Sequence, residues 1–198
     1  NLIEFSKKNL VKKIINFSSM NVYGKVATNL LTEKEIPNNP DMLGITKFIG
    51  EKILKNNYFD VINLRLPGIL CIKNTKKYPI ISRFIEALKK NNKITIYNKN
   101  TLFNNVIDTF ELSKLIEKIF VKKKLKYKTF NVAASKPIKL NKFISLLNKK
   151  IKSKSKIVYL TKKNQSYLIS TNKLKKYINF LPSSTETIIE RNLYNRYS

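Results

Sequence analysis

Two segments of the sequence bring together residue types that can do polar chemistry at one edge of a sheet. Ser18 and Ser19 end a short apolar run, residues 13–17, that is typical of a buried strand. Lys47 lies in a later segment with helical spacing, four residues after Leu43 and therefore on the same helix face. Open parallel sheets bind their ligands at the carboxyl ends of their strands. The two segments therefore indicate a ligand site that contains hydroxyls and a positive charge.

The order of the predicted elements indicates an α/β protein with a parallel sheet, because apolar strand runs alternate with helical periods. Strands are predicted at residues 13–17, 60–66, 94–97 and 129–132, and residues 104–107 are predicted to be extended. Helices are predicted around Leu2, Phe5 and Leu10, at residues 42–56, 80–90, 110–119 and 140–151, and after a Ser-x-x-Glu capping box at Ser183–Glu186. A polar loop is predicted at residues 25–40, and the regular rhythm loosens after Pro67.

The formal net charge of +28 raises the question of polyanion binding. Only four of the 40 basic residues are arginines, which leaves 36 lysines, and these are scattered through every segment. Nucleic-acid-binding surfaces favour arginine and combine it with aromatic residues on one face. We therefore attribute most of the charge to an A+T-rich coding genome. A Lys-rich polyanion-binding protein remains the weakest of three functional hypotheses.

Four segments in register carry a specific resemblance. Residues 18–24 resemble the Ser-Ser-x-x-Val-Tyr-Gly strand end, and residues 40–47 resemble the Pro-x-x-Tyr-Gly-x-Ser/Thr-Lys helix, of extended short-chain dehydrogenases of the NAD-dependent epimerase/dehydratase family. Residues 64–70 are similar to the family's strand before the substrate loop, and residues 102–112 to its Asn-Asn-Val stretch. Residues 130–133 match its short Tyr/Phe-Asn-Val-Gly strand. The resemblance covers essentially the whole chain.

The resemblance implies a Rossmann-like parallel sheet that lacks its first strands, followed by a small C-terminal α/β substrate lobe. Residues 1–67 would belong to the NAD(P)-binding domain and residues 68–198 mainly to the lobe, with some elements returning to the core. The family's Gly-x-x-Gly-x-x-Gly turn, which holds the cofactor pyrophosphate, does not occur in this sequence. Because the sequence also opens on Asn1 rather than Met, we expect that an upstream portion is missing.

The family's mechanism implies roles for three positions. A Tyr phenolate takes the proton of a sugar hydroxyl while hydride passes to the nicotinamide, a Lys lowers the Tyr pKa and binds the ribose, and a Ser or Thr holds the reacting oxygen. Ser19 stands at the Ser/Thr position and Lys47 at the Lys position, but Leu43 stands at the Tyr position. Leucine has no ionisable proton, and loss of a positioned base typically costs about 10²–10⁴ in rate.

The resemblance also implies ligands and their contacts. The cofactor would be NAD or NADP, and the substrate a nucleotide-linked sugar. The cofactor-binding positions are Phe17, Ser18, Lys47, Pro67 and Ile69, and the substrate-binding positions are Ser19, Met20, Asn21, Gly68 and Asn104. The sequence departs from the family pattern with Cys71 at a usual Gly, and with Gly68 and Asn104 where several members have Asn and Arg. Tyr23 is expected to be structural rather than a substitute base.

Two main functional hypotheses follow. One is an NAD(P)-dependent epimerase, dehydratase or reductase that is a fragment or an impaired member. The other is a non-catalytic pseudoenzyme or scaffold. With no His, a Ser-His triad is excluded, and no Cys, His or carboxylate cluster indicates a metal. Since Cys71 is the single cysteine and no apolar run approaches about 20 residues, we expect a cytoplasmic protein without membrane or specific nucleic-acid partners. A homodimer is expected from the family.

Overall fold

Strands and helices alternate through the computed structural model of the chain, which describes residues 1–55, 59–70, 79–162 and 166–197. The helices are α1 (Leu2–Lys8), α2 (Met42–Lys55), α3 (Pro79–Lys89), α4 (Thr109–Phe120), α5 (Leu140–Ile151) and α6 (Thr185–Tyr197). The strands are β1 (Lys13–Ser19), β2 (Leu30–Leu31), β3 (Asp60–Leu66), β4 (Gly68–Leu70), β5 (Ile94–Tyr97), β6 (Leu102–Phe103), β7 (Val106–Asp108), β8 (Thr129–Asn131), β9 (Ile138–Lys139), β10 (Ile157–Leu160) and β11 (Leu168–Ile169). The α/β prediction is confirmed.

The chain folds as two units. The first consists of residues 1–67, 113–132 and 169–181, and the second of residues 68–112, 133–168 and 182–198. None of the helices in the described ranges has the length and apolarity that a bilayer crossing needs. Cys71, which stands at a usual family Gly, lies outside the described residues.

Three parallel strands form the sheet of the first unit, in the order β1–β3–β8. Ser18 pairs with Arg65 and Ser19 with Leu66 across β1 and β3, while Arg65 also pairs with Asn131 on β8. The central strand β3 is buried from its second residue to its last, as expected for a strand with a neighbour on each side. The carboxyl ends of β1 and β3 therefore lie side by side.

Helix α2 exposes four of the five apolar residues whose helical spacing predicted it, and the fifth, Phe48, is half-buried. Met42, Ile45, Ile49 and Ile53, here called the α2 apolar stripe, are 74%, 40%, 50% and 53% exposed. The buried positions of α2 are instead Gly44, Glu51 and Leu54. An apolar stripe of this kind normally faces a core. In α2 the inward face is instead set by one close backbone approach and one buried charge.

The close approach occurs at Gly44. A Cβ atom at Gly44 would lie 2.1 Å from the backbone oxygen of Asn21, whereas a Cβ at Gly50 would meet nothing within 4 Å. We expect Gly44→Ala to lower the free energy of unfolding by about 1–3 kcal/mol, because the helix must move away from the backbone at residue 21. The matched control Gly50→Ala should raise it by roughly 0.5–1 kcal/mol, since alanine favours a helix interior. Urea denaturation measures both, and equal effects would contradict the described contact.

Short sheets and an apolar core form the second unit. Strands β5 and β10 pair in parallel, as do β4 and β7, while β6 and β9 are antiparallel. Leu88, Phe143, Ile144 and Ile188 lie in the core with at most 1% exposure. The Phe143 ring has Phe103 at its edge, with ring centroids 5.2 Å apart. Of these elements, helix α5 was predicted from the sequence, whereas strand β10 was not.

Local details correct several sequence predictions. Helix α1 ends before Leu10, which has a positive φ of 52° and is 83% exposed. The predicted capping Ser183 instead donates to Glu111, and Ser184 accepts the N–H of Thr187 at 3.1 Å. Within the extended segment predicted at residues 104–107, strand β7 begins only at residue 106. The predicted polar loop at residues 25–40 contains β2.

Candidate active site

The carboxyl end of β1 and the first turns of α2 lie together in the first unit. Lys47 Nζ donates a hydrogen bond to the backbone oxygen of Phe17 at 2.9 Å. Ser19, two residues later, is the last residue of β1. Leu43 lies one helical turn before Lys47 and is 51% exposed. The structure therefore brings an ammonium, the residue at the family's Tyr position and the Ser19 strand end to one place.

Local contacts hold the Ser19 hydroxyl. Its oxygen accepts the backbone N–H of Asn21 at 3.1 Å and so caps the short 3-10 helix at Met20–Tyr23. The Asn21 side-chain amide donates to Asp41 at 2.9 Å, and the other Asp41 oxygen accepts the N–H of Gly44 at 2.7 Å. The turn after β1 is thereby tied to the N-terminus of α2. Ser19 has the local role that Ser often has at strand ends, and it remains half-buried rather than sealed from solvent.

A buried ion pair between β3 and α2 lies next to this strand end. Arg65 donates from Nε to Glu51 Oε1 at 3.0 Å and from Nη2 to Glu51 Oε2 at 2.7 Å, with about 5–6% exposure for both residues. Burial alone would lower the pKa of Arg65, but its hydrogen bond and charge contact with Glu51, together with its contacts with Tyr23, outweigh burial and leave the pKa raised. The Ser18 hydroxyl also donates to Glu51. Glu51 therefore joins α2 to both β1 and β3.

Tyr23 packs against the same pair. The Arg65 guanidinium lies 4.7 Å from the centre of the Tyr23 ring, and the Tyr23 hydroxyl donates to Asn131 at 2.6 Å. Burial raises the pKa of Tyr23, although Arg65 works in the opposite direction. A buried phenol with a raised pKa is poorly suited to act as a base. The structure thus gives Tyr23 a structural role, as we expected.

The remaining predicted site residues lie at several places. In the first unit Met20 is 5% exposed, and Pro67 follows β3. In the second unit Gly68 and Ile69 lie in β4, where Gly68 pairs with Val106 of β7. The side-chain amide of Asn104 is buried and donates to the backbone oxygen of Ala134 at 3.0 Å. The cofactor and substrate contacts assigned to these positions stay predictions.

Sequence reasoning missed Glu51, Arg65 and Asp41. A signal existed for two of them, since Arg65 interrupts an apolar strand run and Glu51 lies one turn after Lys47. A charge within a buried strand requires a partner, because burial of an unpaired charge is costly. Only the fold shows that the partner of Arg65 is Glu51, 14 residues away.

The NAD dependent epimerase/dehydratase family model matches residues 1–133. UDP-glucose 4-epimerase from Thermotoga maritima, solved with UDP-glucose, has a TM-score of 0.77 at 20% identity over 98% of this chain and 66% of its own. UDP-glucuronic acid 4-epimerase from Bacillus cereus with NAD gives 0.79 at 19% identity over 99% and 63%. WbmG from Bordetella bronchiseptica with NAD and UDP gives 0.80 at 17% identity over 98% and 63%.

A search of the curated proteins finds no match. The chain spans about two thirds of the length of the three solved structures above, which share its Rossmann-like fold. Since the family model covers well over half of the 198 residues, the chain belongs to the NAD dependent epimerase/dehydratase family.

Proposed function

We propose that this chain supplies the Ser–Lys edge of the active site and the sugar-binding lobe of an NAD(P)-dependent epimerase, dehydratase or reductase that acts on a nucleotide-linked sugar. The observation that carries the proposal is the 2.9 Å hydrogen bond from Lys47 to Phe17, because it fixes an ammonium beside the strand end of Ser19. The family match and the similarity to epimerases solved with NAD and UDP-sugars support it. The protein would work in the cytoplasm, as expected for a chain with a single cysteine.

The residues present fit the nicotinamide half of the cofactor. Lys47 is half-buried and gives one of its three ammonium protons to Phe17, so two donors remain for ribose hydroxyls. Phe17, Ser18, Pro67 and Ile69 are the other positions that the resemblance assigns to this role. The pyrophosphate half has no Gly-rich turn within these 198 residues, whose four glycines are at positions 24, 44, 50 and 68. NAD(P), when bound, accepts or returns a hydride.

The chain's own residues can orient a sugar hydroxyl. In this proposal the Ser19 hydroxyl holds the reacting oxygen, and the Lys47 charge favours negative charge developing on it. Met20, Asn21, Gly68 and Asn104 are the further positions proposed to contact the nucleotide sugar. No group at Leu43 takes the proton, so turnover is expected to be impaired.

The half-exposed Leu43 also favours a second candidate, a non-catalytic scaffold that binds a nucleotide sugar without turning it over. The two candidates differ in one measurable property. An impaired enzyme shows slow turnover that falls further when Lys47 is replaced, whereas a scaffold shows none in either form. A sensitive product assay by mass spectrometry distinguishes them.

The chain as printed is expected to bind NAD or NADP weakly or not at all. Most pyrophosphate and adenosine contacts in this fold come from the Gly-rich turn and the first β-α-β units. The Gly-x-x-Gly-x-x-Gly motif of that turn does not occur in these 198 residues. Calorimetric titration with each dinucleotide tests this expectation. A low-micromolar dissociation constant for either one would show that the cofactor is held by residues other than those proposed.

We further propose a homodimer through the α2 apolar stripe. A contiguous row of exposed apolar side chains on one helix favours burial against a second copy of the same row. Sedimentation equilibrium should show a dimer for the chain and a monomer for Ile49→Lys. The matched change Lys55→Glu also alters charge on α2 but lies on another face of the helix, and it should leave the dimer intact. A monomeric wild-type chain would contradict the proposal.

A further inference from the structure

A cavity of about 430 Å³ lies in the first unit, and none of the residues assigned to the active site line it. Its wall contains the inward face of β3, at Val61, Asn63 and Arg65, together with side chains of α2. Residues 127–129, at the start of β8, form another part of the wall. This volume is in the range of small-molecule sites, about 300–1,000 Å³.

Positive charge exceeds negative charge in this cavity. The lining cations are Arg65, Lys52, Lys55, Lys128 and Lys173, and the lining carboxylates are Glu33 and Glu51. Glu51 is fully engaged by the bidentate contact with Arg65. Glu33 accepts the backbone N–H of Asn131 at 2.9 Å and lies 4.0 Å from the Lys173 ammonium.

Two lysines of the cavity have no carboxylate partner among the described residues. Within the described ranges, no carboxylate oxygen lies within 4.0 Å of Lys52 or Lys55. The ammonium of Lys52 is 4.9 Å from the centre of the Phe48 ring, so it lies over an aromatic face.

The cavity also has aromatic rings in its wall, beside the lysines. Phe48, Phe59 and Tyr127 line it. Lys173 lies 4.8 Å from the Tyr127 ring centre, and the Tyr127 and Tyr177 rings are tilted by 53° with centroids 4.5 Å apart. Lys126 and Lys176 lie near these two rings, at 5.8 and 5.4 Å. Planar rings beside ammonium groups are the combination that nucleotide bases and phosphates require.

We propose that this cavity is a second ligand site, which takes a nucleoside polyphosphate. Its phosphates would bind the ammonium groups of Lys52, Lys55 and Lys173, and its base would lie against Tyr127 and Phe48. A phosphate group suits several lysines better than a carboxylate does, because it carries up to two charges and three acceptor oxygens. The site is distinct from the proposed substrate positions at Met20, Asn21, Gly68 and Asn104, none of which lines it.

Calorimetry with two probes, inorganic pyrophosphate and ADP, tests the proposal in 150 mM salt. ADP should bind about tenfold or more tightly than pyrophosphate, since the base adds stacking. The double variant Lys52→Gln/Lys173→Gln should weaken both ligands at least tenfold. The matched control Lys149→Gln/Lys154→Gln removes the same charge from exposed positions of the second unit and should change binding less than twofold.

A third variant separates the two halves of the site. Tyr127→Leu should remove most of the ADP advantage and leave pyrophosphate binding within twofold of the wild type. Circular dichroism checks that each variant is folded. Equal weakening by both lysine pairs would show diffuse attraction to a basic surface and overturn the proposal. Absence of binding by the wild type, or equal affinity for the two probes, would also overturn it.

Discussion

Leu43→Tyr is expected to raise turnover of a suitable nucleotide sugar by at least about 10²-fold, the low end for a general base, when the chain is joined to a dinucleotide-binding half. The introduced phenol would lie one helical turn from the Lys47 ammonium, whose charge favours the phenolate. Ser19 would hold the sugar oxygen from which the phenolate takes its proton. Initial rates with UDP-glucose and dTDP-glucose, followed by product chromatography, give the measurement.

Two matched variants isolate the phenol. Leu43→Phe supplies the same ring without the hydroxyl and should leave turnover at the wild-type level. Lys47→Met in the Leu43→Tyr background should erase most of the gain. If the protein with Leu43 is already fully active and Leu43→Tyr changes nothing, another group or a water serves as the base. In that case the assignment of position 43 is wrong.

Arg65→Met is expected to lower the free energy of unfolding by about 3–5 kcal/mol, the usual cost of leaving one partner of a buried ion pair alone. The variant leaves the Glu51 carboxylate buried with the Ser18 hydroxyl as its remaining side-chain partner among the described contacts. The double variant Arg65→Met/Glu51→Leu should recover most of the loss, because apolar replacement of a whole buried pair is often nearly neutral. Urea denaturation at neutral pH gives the three free energies.

An exposed pair provides the control. Lys142 and Glu186 form an ion pair at 2.7 Å, but their side chains are 56% and 37% exposed. Lys142→Met should therefore cost less than about 1 kcal/mol. If Arg65→Met costs no more than Lys142→Met, the pair with Glu51 does not hold α2 against the sheet. The position of Lys47, one turn before Glu51, would then need another explanation.

Elements with a clear local hydrophobic pattern could be predicted from the sequence. The bounds of β3, β5 and α5 match the predicted residues 60–66, 94–97 and 140–151. Each has a continuous apolar or amphipathic pattern bounded by polar residues or breakers. The strand end at Ser19 and the helix with Lys47 were also predicted, since their motifs are local.

Contacts between residues far apart in the sequence could not be predicted in the same way. The inward face of α2 depends on Gly44 meeting the backbone at residue 21 and on Glu51 meeting Arg65, whereas the apolar stripe is the stronger local signal. Ser183 fits a capping box, but the distant Glu111 takes its hydroxyl. Strand β10 is a four-residue apolar run, which periodicity alone does not assign to a strand or a helix, and its partner β5 lies far earlier in the sequence.

The pKa of the phenol that Leu43→Tyr introduces tests the proposed site most directly, and it can be measured on this chain alone. Because the chain already has ten tyrosines, the titration is followed as a difference spectrum between the variant and the wild type. We expect the introduced phenol to titrate below the ordinary value of about 10, and to return to it when Lys47→Met is added. An introduced phenol that titrates at the ordinary value in both backgrounds would contradict the placement of Leu43 and Lys47 in one active site.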